Sequence, residues 1–289
     1  MTIIREIAAA KVNLTLQILG RRPDGYHELK SLVAFAGISD LVEFRPGHPP
    51  EITVEGPFAS EIQGENLLLK AARTVHSERP DFVTGAFRLV KRLPVAAGLG
   101  GGSADAAAAL RALMQANGNQ SLALDWARLA KSLGADVAVC FRQRASFMTG
   151  IGEIVTPAPR MPELSVVLVN PAIALPTEAV YAALNAPSLK TQATGASSGP
   201  AEHLATVDQL VEYLNRNPND LETPALRLAP AIGEVKAALA AQKGCLIARL
   251  SGSGSTCFGL FRDQQSAAYA EQSIARHRPV WWVRSSVLR

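Results

Sequence analysis

The chain has 289 residues, 48% of them hydrophobic and 19% charged, which is long enough for one large or two ordinary domains and excludes a disordered tail. Aromatic residues make up only 6%, the net charge is +4, and no run of Lys or Arg exceeds two residues. That balance excludes a base-stacking nucleic-acid platform and suits a small anionic ligand better than a polyanion.

Cys140, Cys245 and Cys257 are odd in number and widely spaced, so neither a disulfide framework nor a CxxC metal site is expected, and a reducing cytoplasm is. The opening Met-Thr-Ile-Ile-Arg-Glu meets a charge pair at once and predicts no targeting segment. The most apolar long window, Leu164 to Leu184, is broken by Asn170, Pro171, Pro176 and Glu178, so no membrane span is expected.

Along the chain, Val12, Leu14, Leu16 and Ile18 alternate with polar residues and predict a half-buried strand, ended by the turn chemistry of Arg21 to Gly25. Leu32 to Phe44, Glu51 to Glu55 and Phe87 to Leu93 read as strands, and Glu65 to Arg79 as a helix. A glycine-rich loop then leads into a helix over about 103–116, with Ala106, Leu110, Leu113 and Asn117 on one side. A further helix is expected from Ser121 to Leu133, ended by Gly134 as a left-handed residue. Leu164 to Val169 is a continuous apolar strand, followed by a short helix whose amides the Thr177 hydroxyl would cap. Residues 186–203 read as a surface segment with the character of a lid. Helices at about 206–215 and 230–241, strands flanking Ser251 to Ser255, a helix at 263–276 and a strand through Trp281 to Val283 complete the chain. Trp281 and Trp282 fit either the core or the surface of a homodimer. Strands and helical crossovers in unequal numbers predict two α+β domains, 1–160 and 161–289.

The sharpest motif is Pro94-Val95-Ala96-Ala97-Gly98-Leu99-Gly100-Gly101-Gly102-Ser103-Ala104. Its glycines leave no Cβ to hinder a ligand, and it runs into a helix whose first amides lack intrahelical partners, which together favour a phosphate. No Walker lysine follows, and the Rossmann glycine register does not fit. A turn that merely allows close helix packing is the competing reading. Asp136 could equally cap a short helix, and Lys11 could snorkel to a sheet edge. The 251–255 loop could be a plain hairpin, and Asp24 to His27 a surface turn.

In this order, these motifs resemble the GHMP kinase superfamily over nearly the whole chain. Ala10 to Leu14 followed by Arg22 to His27 is similar to the branch of the superfamily that acts on a cytidine diphosphate-linked polyol, while the glycine loops identify the superfamily only. The resemblance implies a ribosomal-S5-like domain and a ferredoxin-like domain with the active site in the cleft between them. It implies ATP-dependent phosphorylation of the 2-hydroxyl of 4-diphosphocytidyl-2-C-methyl-D-erythritol, in the non-mevalonate route to isoprenoids. Asp136 would be the catalytic base and Lys11 its partner. Residues 94–104 and Asn66 would hold ATP, with Ser103 toward Mg²⁺. Asn13, Thr177, Gly252 and Gly254 would contact the substrate, Tyr26 and Tyr181 would sandwich the cytosine, and His27 would read its edge. Ala138, Cys140 and Ser255 depart from the usual proline, phenylalanine and small residue or proline at those places. A homoserine- or mevalonate-type kinase is the alternative within the superfamily, and a non-catalytic nucleotide-binding protein the alternative outside catalysis.

Overall fold

The computed structural model describes residues 2–189 and 204–289, so most of the segment expected to form a lid lies outside the described residues. The chain divides into two compact units that interleave in sequence. One takes residues 1–10, 38–95 and 100–143, the other 11–37, 96–99 and 144–289.

In the first unit, strand β3 (His27–Pro46) contributes its later half, which pairs antiparallel with β5 (Gly85–Val90) from Leu41 opposite Val90 to Pro46 opposite Gly85. β4 (Ile52–Glu55) adds to β5 in parallel. Helix α2 (Gly101–Asn117) packs against α1 (Leu67–Glu78) and α4 (Ala135–Arg142), and α4 against α3 (Trp126–Leu133). Ala104, Ala106 to Ala109 and Ala112 of α2 are all buried, and their small side chains let neighbouring elements come close. Phe44 and Phe87 meet with ring centroids 4.6 Å apart.

In the second unit, β2 (Gln17–Arg21) and β6 (Ser146–Gly150) flank the early half of β3, and β7 (Ile154–Pro157) forms a hairpin with β6. An antiparallel run β11-β8-β10-β9 is made from Trp282–Leu288, Leu164–Asn170, Cys257–Phe261 and Cys245–Leu250. Every residue of β8 is buried, which is why it reads as an unbroken apolar run. α8 (Ala231–Ala240) and α9 (Gln264–His277) pack on these strands. α5 (Thr177–Leu184), α6 (Val207–Arg216) and α7 (Glu222–Leu228) complete the unit, with a reciprocal Thr206–Gln209 capping box opening α6. Among the described residues, no helix is long and apolar enough to cross a membrane. Trp281 and Trp282 are half-buried, and the Arg278 guanidinium lies 5.0 Å from the Trp281 ring.

Four expectations are corrected. The strand over Val12 to Ile18 is two strands, because β1 (Ile4–Asn13) stops where the amides of Leu14 and Thr15 both turn to the Leu32 carbonyl. The Thr15 hydroxyl, accepting from the Leu32 amide at 2.8 Å, fixes that break. The helix over Ser121 to Leu133 begins only at Trp126, where the Asp125 carboxylate caps the Arg128 amide at 2.9 Å; a 3-10 turn precedes it. Gly134 has φ +155° and ψ +152°, a conformation for glycine but not the left-handed helical one, and it joins α3 directly to α4. The Thr177 hydroxyl does not cap α5; it hydrogen-bonds the Ser253 hydroxyl at 2.8 Å.

Phe44 is fully buried, so Phe44→Ala is expected to cost about 3–5 kcal/mol of stability, measured by urea denaturation of the protein. A loss below about 1 kcal/mol would show that this core position is not packed as described.

Candidate active site

The glycine loop is fixed on its second-unit side by backbone and hydroxyl bonds. The Lys11 amide donates to the Leu99 carbonyl at 2.9 Å, and the Thr256 amide to the Ala97 carbonyl at 3.1 Å. The Ser251 hydroxyl donates to the Gly98 carbonyl at 3.0 Å. Gly98 has φ +75°, and a Cβ there would stand 2.4 Å from the Ser251 carbonyl oxygen, so only glycine fits. Gly252 (φ +58°) and Gly254 (φ +92°) shape the facing loop.

Asn13 lies against that loop and is buried. Its amide donates to the Ser251 hydroxyl at 3.2 Å and its side-chain nitrogen to the Ser31 hydroxyl at 2.8 Å. Among the described residues its Oδ1 has no hydrogen-bond partner, and a Cβ on Gly252 would come within 3.2 Å of it. A buried acceptor left in this state costs about 1–3 kcal/mol, so this oxygen favours a ligand that brings a donor. Lys11 is buried on β1, two residues earlier.

In the first unit, α2 opens at Gly101 behind Gly100, which is left-handed at φ +63°, ψ +24°, and no side chain caps the helix. A Cβ on Gly102 would meet nothing within 4 Å. Uncapped amides, an open approach and the positive end of a 17-residue helix suit an anionic phosphate. Among the described residues, no three His, Cys, Asp or Glu side chains gather into a metal cage. The Ser103 hydroxyl in the first turn is the kind of single oxygen ligand that suits Mg²⁺ carried mainly by phosphates. Asn66 is the N-cap of α1, its side-chain oxygen accepting from the Leu68 amide at 2.9 Å. Asp136 sits half-buried in the first turn of α4.

A cavity of about 480 Å³ in the second unit brings together Tyr26, His27, Thr177 and Tyr181, with Arg21 and Glu178 among its walls. The Asp24 carboxylate accepts the Tyr26 amide at 3.1 Å and sets the turn that presents both rings. Thr177 and Tyr181, four residues apart on α5, share one helix face. The His27 ring packs against Tyr181, at 4.9 Å between centroids and 44° between planes, while Tyr26 is 60% exposed. Burial first and the Arg21 charge second hold the His27 imidazole below its ordinary pKa of 6.5.

One cluster escaped the motif reading. Lys91 donates to Asp40 and Asp105, each at 2.6 Å, and all three are buried. Burial raises the Asp105 pKa to about 7 against the pull of Lys91. Burial also lowers the Lys91 ammonium, but the two carboxylates outweigh it and leave it above the lysine range. The traces in the sequence were a lysine closing an apolar strand and an aspartate inside an alanine-rich helix.

The family described as "GHMP kinases N terminal domain" matches residues 66–144, and "GHMP kinases C terminal" matches 202–279. The chain is 46% identical over 297 residues to a 4-diphosphocytidyl-2-C-methyl-D-erythritol kinase of Rhodopseudomonas palustris, covering 100% of this chain and 98% of the relative. It is 47% identical over 277 residues to a kinase of the same description from Paramagnetospirillum magneticum, covering 96% and 95%. A crystal structure of 4-(cytidine 5'-diphospho)-2C-methyl-D-erythritol kinase is similar with a TM-score of 0.79 and 32% identity, covering 99% of each chain. The homoserine kinase of Cytophaga hutchinsonii shares the fold, at a TM-score of 0.71, 18% identity, and 100% and 95% coverage.

Because the folded state resists protonating His27, the stability it contributes is present above pH 6.5 and is lost as pH falls through its lowered folded pKa. Its NMR titration midpoint is expected below 6.5, and higher in Arg21→Gln than in the native protein. A native midpoint at or above 6.5 contradicts the burial described.

Proposed function

The chain belongs to the GHMP kinases, and on that premise we infer that it transfers the γ-phosphoryl group of ATP to the 2-hydroxyl of 4-diphosphocytidyl-2-C-methyl-D-erythritol. Its α+β architecture is the two-domain GHMP kinase fold. The observation that carries the substrate reading is the 480 Å³ cavity with Tyr26, His27 and Tyr181 on its walls. A nucleobase needs an aromatic face and a polar edge, and a small acceptor such as mevalonate or homoserine needs neither.

ATP, when bound, supplies the phosphoryl group; the protein's part is to place and neutralise charge. The amides of Gly100 to Ser103 hold phosphate oxygens, and the backbone from Pro94 to Leu99 with Ala104 shapes the rest of the nucleotide site. Ser103 offers its hydroxyl to Mg²⁺, and Asn66 flanks the adenine. Asp136 accepts the proton of the attacking hydroxyl, and Lys11 stabilises negative charge on the reacting groups. Asn13 takes a substrate hydroxyl as the donor its Oδ1 lacks, with Thr177, Gly252 and Gly254 beside the polyol. The His27 ring against Tyr181, with Tyr26 across the cavity, makes the nucleobase seat. We keep Tyr26 and Tyr181 as the two faces of the cytosine and His27, which lies against Tyr181, as the reader of its edge.

Along the sequence we place the boundary between the family's two domains at 160, giving 1–160 and 161–289 with one family match on each side, although the compact units interleave across it. The three free cysteines favour the cytoplasm.

ADP release with ATP, Mg²⁺ and the cytidine-linked polyol, beside mevalonate and homoserine, tests the reading; turnover with a control alone would discard the substrate. Asp136→Asn is expected to lower kcat by on the order of 10²–10⁴ with ATP binding retained. Near-native turnover would leave Asp136 as a helix-end residue only.

A further inference from the structure

The Lys91 cluster has no part in the chemistry above, yet it touches both flanks of the glycine loop. Upstream, Asp40 Oδ1 accepts the amides of Arg92 at 2.5 Å and Leu93 at 2.8 Å, fixing the chain as it leaves β5. Downstream, Asp105 stands in the second turn of α2, and a Cβ on Gly101 would come within 3.1 Å of Lys91 Nζ. The ammonium therefore lies directly under the first residue of the helix. Lys91, Asp40 and Asp105 are respectively 2%, 0% and 3% exposed, so water does not compete for these bonds.

We propose that Lys91 is a positioning residue for the nucleotide: by joining Asp40 to Asp105 under Gly101 it sets where the first amides of α2 stand relative to the strand exit. The proposal rests on the reading of the α2 entrance as the ATP-phosphate site. It follows from three features acting together. One cation bridges two elements, the bridge straddles residues 94–100, and the residue above it is a glycine, where a Cβ would press within 3.1 Å of the ammonium. A larger head group at position 91 would push the entrance upward, and an uncharged one would release the second turn. Lys91 acts through the helix backbone and touches no reacting atom, so it affects nucleotide binding more than the chemical step.

The test is calorimetric binding of a non-hydrolysable ATP analogue with Mg²⁺ to native protein, Lys91→Arg, Lys91→Met and Asp105→Asn. It is joined by steady-state kinetics and by amide exchange of residues 101–104 without ligand. Analogue affinity and KM for ATP are expected to worsen by on the order of ten- to a hundredfold. KM for the acceptor should hold, kcat should change less, and exchange at 101–104 should speed up. Lys91→Met leaves two buried carboxylates facing each other and risks unfolding. Asp105→Asn keeps the shape and so tests the proposal even where Lys91→Met does not fold. A variant with a lowered Tm but native analogue affinity makes the cluster structural only and overturns the proposal. Equal losses for both substrates mean general loosening and overturn it too. If native protein binds no analogue, the kinase reading itself fails; if native and variant bind alike, that reading stands and the positioning role falls.

Discussion

The first unit is organised around one buried cation. Each charged group taken from water costs several kcal/mol before it finds a partner, so a lysine between two aspartates persists only where geometry is close to ideal. Here the bonds are 2.6 Å long, and the second oxygen of Asp40 is spent on two backbone amides. The rest of the unit accommodates this arrangement. At Gly101 a side chain would crowd the ammonium, and the alanines after it let α2 settle close to its neighbours. A helix so placed has an entrance free of side-chain caps, which is what an anion site requires.

The second unit obeys a different constraint, the satisfaction of backbone around glycine turns. Ser251 serves two partners, accepting from Asn13 and donating to Gly98, and Asn219 donates to the carbonyls of Leu250 and Gly252. These bonds hold the 251–255 loop, and the Thr177–Ser253 hydroxyl pair ties it to the helix that carries Tyr181. A loop that reads as a plain hairpin connection is thus anchored to the wall of the cavity lined by Tyr26, His27 and Tyr181.

What was legible in the sequence was what depends on near neighbours. The run Leu164 to Val169 announces β8 because both faces are buried, and Gly100 to Gly102 followed by a helical period announces α2. Two misreadings came from partners distant in the chain. Thr177 looks like a cap until its hydroxyl is seen bonded to Ser253, 76 positions away. Alternation through Val12 to Ile18 hides a break made by Thr15 bonding to Leu32. α7, seven residues long with Pro224 inside, leaves too little periodicity to detect. The hairpin of β6 and β7 also passed unread. The site motifs were visible singly, but the Lys91 cluster draws on positions 40, 91 and 105, which no local pattern connects.

The interleaving of the units bears on how the chain is made. Every segment of the first unit lies within residues 1–143, so that unit is complete before residues 144–288 are made. Residues 11–37 belong to the second unit, whose strand β11 pairs Leu288 with Ala36. Val12, Leu14, Leu32, Val33 and Ala34, all fully buried in the folded unit, must therefore wait until β11 is made for their final surroundings. An early apolar segment with late partners invites chaperone capture, and it makes the nascent chain more vulnerable than the finished enzyme.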